Sequence, residues 1–171
     1  RGQWLWLSAL GLAAGWTNLA YVLAVLEGEV VRVLLLFYLS PLWTVLFSRF
    51  LLHEKLNRAG VAVMALAASG ALAMLWEPGE WPLPHNYAEW LGLSAGVMFA
   101  ASNVISRHLE GVAEGAKSVS IWAGVAVLTV IGLTLKPAEL DFMAAAETGT
   151  WLLLIGIGLL TGCSLLALLS L

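Results

Sequence analysis

Long apolar segments, separated by short polar connections, make up most of this chain. Six of them are close to the roughly 20 helical residues that a bilayer crossing needs. They lie at Trp4–Leu26, Val30–Leu52, Ala59–Trp76, Ala88–Leu109, Val119–Leu135 and Thr150–Leu171. Apolar and polar residues do not alternate in these segments, as they would in the strands of a membrane barrel. Because backbone groups in lipid must be satisfied within the segment, the pattern predicts an all-α membrane protein with six transmembrane helices.

Lys and Arg in the polar connections indicate the orientation, because these residues concentrate on the cytoplasmic side of a membrane protein. In a six-span weave one side carries Arg1, Arg49, Lys55, Arg58, Arg107 and Lys117, and the other carries Arg32 and Lys136. We therefore expect the connection 53–58 inside and the Pro-rich linker 77–87 outside. The expected location is the plasma membrane, as an integral multi-pass protein, with the bacterial inner membrane as its setting.

Composition excludes several classes of protein. The chain has 61% hydrophobic and 11% charged residues, whereas a soluble domain carries about 25% charged residues. A net charge of −3 argues against a nucleic-acid partner, and the single cysteine, Cys163, cannot form an internal disulfide. His53, His85 and His108 lie apart, without a Ser/Asp pair or metal-ligand spacing, so an intramembrane enzyme, a metal site and a cofactor are not expected.

The first and last apolar segments resemble each other. When Trp4–Ala20 is aligned with Trp151–Ala167, eight positions are identical, including one Trp and two Gly. Chance similarity between leucine-rich segments is the alternative. A true repeat five spans apart would cross the membrane in opposite directions, as in the inverted repeats of secondary transporters, which place the substrate site between the halves.

Polar residues inside the spans are the candidates for that site. Pro41 interrupts the second span and removes a helical hydrogen bond, which predicts a kink. The candidate cavity residues are Trp16, Asn18, Tyr21, Tyr38, Ser40, Pro41, Thr44, Ser102, Asn103 and Ser106. Proline is common in membrane helices, and hydrogen bonds that only join helices remain the alternative for the polar side chains.

Arg32 is a separate candidate, at the outer end of the second span. It can extend toward the interface, pair with Glu29, or attract an anionic group at the outer mouth. No Asp or Glu lies deep in any predicted span, so the sequence does not indicate a proton-coupling acid.

Residues Gly11 to Leu75 resemble the EamA domain of the drug/metabolite transporter superfamily. Ser40-Pro41, the cap Glu54-Lys55-Leu56 and Gly60 match motifs of that domain, whereas His53 stands where the family more often has glycine. The resemblance implies ten spans in two inverted five-helix repeats, with this chain as spans three to eight. Residues 1–76 would then end the first repeat, 77–87 would be the linker, and 88–171 would begin the second.

The function that follows is a secondary carrier or exporter of a small metabolite or drug-like solute. The partners expected are that solute, the lipid bilayer and, as a further candidate, a second copy of the chain in a homodimer. The alternative is a membrane protein that scaffolds or modulates a partner without transporting anything. Substrate, direction and energy coupling cannot be derived from the sequence.

Overall fold

The structure is a computed structural model that describes residues 2–54, 58–76, 83–135, 149–153 and 155–156. Its regular elements in these ranges are helical, which confirms the all-α prediction for the described residues. They are α1 (Gly2–Glu27), α2 (Val30–Phe37), α3 (Ser40–Phe47), a π-helical turn (Ser48–Leu52), α4 (Arg58–Leu75), α5 (Tyr87–His108) and α6 (Glu114–Leu135). Residues up to Thr129 form one compact unit and those from Val130 a second. All contacts described below lie within the first unit.

Four helical segments of the described chain are long and apolar enough to cross a bilayer: Gly2–Glu27, Val30–Leu52, Tyr87–His108 and Glu114–Thr134. The third predicted span appears as a shorter apolar helix, Gly60–Leu75. The sixth, Thr150–Leu171, falls almost entirely outside the described residues, as does the second copy of the proposed repeat. The count of six spans and the inverted repeat are therefore not confirmed.

Helix α5 lies at the centre of the first unit and packs against α1, α2 and α3. One of its faces carries small residues at every fourth position, and these are buried: Ala88, Gly92, Gly96 and Ala100. Small side chains at this spacing let helix backbones approach closely in a membrane. Val33 and Phe37 lie against Gly92 and Gly96, so the second span packs directly on this face.

A second close contact joins α1 and α6. A Cβ atom at Gly11 would lie 2.5 Å from the carbonyl oxygen of Ser120, and one at Gly15 would collide with the backbone of Gly124. The Ser120 hydroxyl donates to the carbonyl of Leu7. These contacts show that α1 and α6 run parallel, with glycines where their backbones meet.

The spans of the first unit alternate in direction. Helix α1 runs opposite to α5, because Gly28 lies near Ala88 while Trp6 and His108 have ring centroids 4.8 Å apart at the other end. The second span runs parallel to α5. Leu52, at the end of the second span, and Tyr87, at the start of α5, therefore lie at opposite ends of the bundle, as the weave requires. Which end is cytoplasmic stays a prediction.

Candidate solute-binding site

The second span is broken just before Pro41. Helix α2 ends at Phe37, α3 starts at Ser40 and has the proline in its first turn. Pro41 has no N–H to donate to the carbonyl of Phe37, four residues earlier. That carbonyl lies against Gly96 of α5, because a Cβ atom there would be 2.8 Å from its oxygen. The unpaired carbonyl is thus covered by a neighbouring helix, as irregular backbone at membrane depth requires.

An aromatic cluster surrounds this break. The ring of Phe37 lies 5.0 Å from that of Tyr21 and 5.5 Å from that of Phe99, in tilted arrangements. Tyr38 meets Phe37 edge-on at 6.1 Å. Tilted and edge-on pairs at these distances are the favourable geometries for aromatic rings. The cluster joins α1, the second span and α5 at one level of the bundle, and Tyr38 and Phe99 leave part of it exposed.

The candidates on α1 divide between two environments. Trp16 faces α5, where its indole N–H donates to the hydroxyl of Ser94 over 3.2 Å. Tyr21 is half-buried in the aromatic cluster. Asn18 is exposed, and its amide donates to the carbonyl of Ala14 one turn earlier. Of Asn18 and Tyr21, only Tyr21 therefore packs inside the bundle.

The candidates on α3 and α5 have mostly local partners. Ser40 is buried, and the Thr44 hydroxyl donates to its carbonyl over 2.9 Å. Pro41 itself is exposed. On α5 the Ser102 hydroxyl donates to the carbonyl of Phe99 over 2.8 Å. Asn103 is exposed and Ser106 is half-buried. Ser40, Pro41 and Thr44 thus lie at the break itself, whereas Ser102, Asn103 and Ser106 lie farther along α5 than Gly96 and Phe99, which contact it.

Three cavities among the described residues are lined by none of the ten candidates. The first, of about 290 Å³, is bounded by α3, Arg49 and Met64 of α4. A second, of about 640 Å³, is the apolar groove between α1 and α6 that contains Gly11 and Gly124. A third, of about 190 Å³, lies between Phe47, Phe50 and α5. The residues at the break form a partly exposed surface of the described chain, because Tyr38, Pro41 and Phe99 are exposed.

Arg32 is buried rather than extended into solvent, with an exposed fraction of 7%. It forms a two-pronged contact with Glu89 of α5, with Nε–Oε1 at 3.1 Å and Nη2–Oε2 at 3.5 Å. The same carboxylate accepts from the backbone N–H of His85 and from the side chain of Asn86. Asn86 in turn caps α5 by accepting from the N–H of Glu89.

Sequence reasoning missed several of these residues. Glu89 is only 3% exposed, although its place in the first turn of a predicted span does not by itself indicate a buried acid. The segment from Asn86 to Glu89 has the spacing of a capping box, which would have predicted its local role. Phe37 and Phe99 carry no signal in the sequence, because aromatic residues are ordinary in an apolar span.

Comparison with known proteins supports the resemblance noted in the sequence. Residues 1–76 match the profile of the EamA-like transporter family. The chain is 27% identical to the uncharacterized transporter YojE of Bacillus subtilis, over 95% of this chain and 51% of that protein. It is 30% identical to the pseudopaline exporter CntI of Pseudomonas aeruginosa, over 74% of this chain and 43% of that protein. It thus spans about half the length of the curated relatives it matches. No solved structure was found to match it.

Proposed function

We propose that this chain is part of an EamA-like transporter, since its first 76 residues match the profile of that family, and that the full-length protein is a carrier that moves a small metabolite across the membrane by alternating access. The observation that supports this most directly is the broken second span with its aromatic cluster. A span that is interrupted at membrane depth and flanked by polar and aromatic side chains is the arrangement in which carriers bind their solutes.

The chemistry of the candidates suggests how a solute would be held. None of the ten candidate residues is charged, so contacts would come from ring stacking on Tyr21 and Phe99 and from hydroxyl and amide groups. Phe37 and the buried Ser40 would hold the break in place. The proposal includes the full architecture expected from the sequence: ten spans in two inverted repeats, of which this chain supplies spans three to eight.

The test compares metabolite pools in cells that express the full-length protein with those of cells that carry an empty vector. Mass spectrometry of cytoplasm and medium should show at least one small metabolite redistributed across the membrane. Pro41→Ala supplies an N–H to the Phe37 carbonyl and should close the break. Ser40→Trp puts a large ring at a buried position beside it. Both should abolish the redistribution.

Matched controls separate a lost site from a lost protein. Ser69 is an exposed serine on α4, so Ser69→Trp adds the same ring away from the break and should transport normally. Membrane expression of each variant is measured by fluorescence-detected size-exclusion chromatography. Normal redistribution by Pro41→Ala and Ser40→Trp at normal expression would show that the site lies elsewhere. If the full-length protein changes no metabolite pool, the scaffold alternative gains support.

A further inference from the structure

Two ion pairs join the second span to α5, one near each end of their contact. Arg32 pairs with Glu89 where both helices begin. Glu54 pairs with Arg107 near the point where both helices end. The first pair is buried, and it resists separation because each charge would lose its partner away from water. The second pair is almost half-exposed, so water and salt screen it and it parts readily.

The two halves of the second span are packed differently on α5. In α2 three of the eight residues are buried, and Val33 lies directly against Gly92. In α3 only Ser40, next to the break, is buried. Farther along, the cavity of about 190 Å³ lies between Phe47, Phe50 and α5. The half before the break is therefore in close contact with α5, whereas the half after it leaves space.

The chain after α3 brings Glu54 to α5. The carbonyl of Ser48, at the start of the π-helical turn, accepts from the backbone N–H groups of His53 and Glu54. The Glu54 carboxylate then accepts two hydrogen bonds from the guanidinium of Arg107, one of them over 3.3 Å. Helical turns of the π type are frequent at functional sites. Here the turn and the exposed pair together tie the far end of α3 to α5.

The cavity lies between this exposed pair and the aromatic cluster. On α5 its lining residues are Ala101, Val104 and Ile105. They stand between Phe99 of the cluster and Arg107 of the pair, which are eight residues apart, or about 12 Å of helix rise. If the pair parted and α3 moved away from α5, the cavity would connect the cluster with the aqueous phase at this end of the bundle.

We propose that the Glu54–Arg107 pair is the latch of a gate, and that α3 moves about the break at Pro41 when the latch parts. Such a gate presupposes the proposed carrier function, because alternating access needs a path that opens at one end of the protein at a time. The break supplies the hinge, since Pro41 interrupts the hydrogen bonds that would join α2 to α3. The buried pair of Arg32 and Glu89 keeps α2 on α5 during the movement.

Cysteine modification in the purified full-length protein tests the latch, with one cysteine in an otherwise cysteine-free background. Val104→Cys probes the cavity beside the latch, and Val33→Cys probes the contact of α2 with α5. Both valines are buried, with exposed fractions of 1% and 0%. Glu54→Gln should raise the rate at which N-ethylmaleimide modifies position 104 by about three- to fivefold, because it removes an exposed ion pair. The rate at position 33 should stay unchanged.

Salt provides a second measurement on the intact latch. With Glu54 and Arg107 both present, raising the salt concentration from about 0.01 M to about 1 M should speed modification at position 104, because salt screens exposed charges. In Glu54→Gln the same change of salt should have no effect. A pair that only shapes the turn would leave the rate independent of salt.

Two further variants separate the pair from the loss of a charge. Glu110→Gln removes an exposed carboxylate from the same end of the bundle and should change neither rate. The exchange Glu54→Arg/Arg107→Glu should restore slow modification at position 104, because it rebuilds the attraction with the charges reversed. An unchanged rate in Glu54→Gln, an equal rise at positions 33 and 104, or no restoration by the exchange would overturn the latch.

These rates are independent of transport, so the latch and the carrier function can fail separately. If metabolite pools are redistributed while Glu54→Gln leaves the rate at position 104 unchanged, the carrier function stands and the latch is wrong. If the rate rises as expected but no pool changes, the pair controls this opening in a protein that is not a carrier.

Discussion

The backbone carbonyl oxygen of Phe37 lies against Gly96, so close that a Cβ atom on Gly96 would come within 2.8 Å of it. Two features of the sequence meet at this contact. Pro41 leaves the carbonyl without its helical donor, and the glycine lets α5 cover it. The break in the second span and the small-residue face of α5 are therefore one structural unit.

Gly96→Ala should lower the stability of the protein, because the added methyl group must push the second span away from α5. Overpacking of this kind costs about 1–3 kcal/mol. Gly70 on α4 is the control, since a Cβ atom there would meet nothing within 4 Å. Gly70→Ala should be neutral or stabilising by up to about 1 kcal/mol, through helix propensity alone. Thermal unfolding of the purified full-length variants in detergent measures both, and equal midpoints would contradict the close contact.

His53 has a backbone conformation that favours glycine. It follows the π-helical turn with φ of 56° and ψ of 26°, in the left-handed region. A residue with a Cβ atom is disfavoured there by about 1–2 kcal/mol, whereas glycine is not. His53→Gly should therefore raise the thermal midpoint, and His53→Ala should not. A higher thermal midpoint in both variants would mean that the gain comes from removing the imidazole and not from relieving the left-handed backbone conformation.

The sequence predicted the bounds of the long helices well and the contacts between helices poorly. Helices α1 and α5 begin and end within two residues of the predicted spans, because apolar runs of this length allow few alternatives. Helix α6 begins at Glu114 and not at Val119, since its first turn is polar and reads as a loop. That turn contains an ion pair between Glu114 and Lys117.

Contacts across helices are harder to predict, because they depend on helix rotation and register. Arg32 and Glu89 are 57 residues apart in the sequence, and no spacing rule connects them. The kink at Pro41 follows from the residue type, whereas the identity of its cover, Gly96, required the structure. The ten cavity candidates remain predictions. Two of them, Tyr21 and Tyr38, both contact Phe37 in the aromatic cluster.

Labelling with an impermeant thiol reagent tests the orientation of the bundle. In a Cys163→Ser background, a cysteine at the exposed Leu83 should react in intact cells if the linker lies outside. A cysteine at the exposed Gly111, between α5 and α6, should react only after permeabilisation. The reverse pattern would invert the topology and place the Arg49 side in the outer leaflet.

The buried ion pair between Arg32 and Glu89 should be essential for stability, in contrast to the pair between Arg107 and Glu54. The former side chains are 9% and 3% exposed, the latter 49% and 45%. Removing one member of a buried ion pair costs about 3–5 kcal/mol, because the remaining charge loses a close partner away from water. Exposed pairs contribute about 0–1 kcal/mol, because water and salt screen them.

Glu89→Ala should therefore lower the unfolding midpoint far more than Glu54→Ala. The double variant Arg32→Met/Glu89→Ala should recover part of the lost stability, because it removes both buried charges together. Such a recovery would distinguish an effect of charge from the loss of the helix cap. The cap depends on Asn86, whose replacement by alanine should cost only about 1 kcal/mol. Thermal unfolding of the full-length variants in detergent supplies all of these values. Equal losses in Glu89→Ala and Asn86→Ala, without recovery in the double variant, would show that Glu89 acts through the cap and not through Arg32.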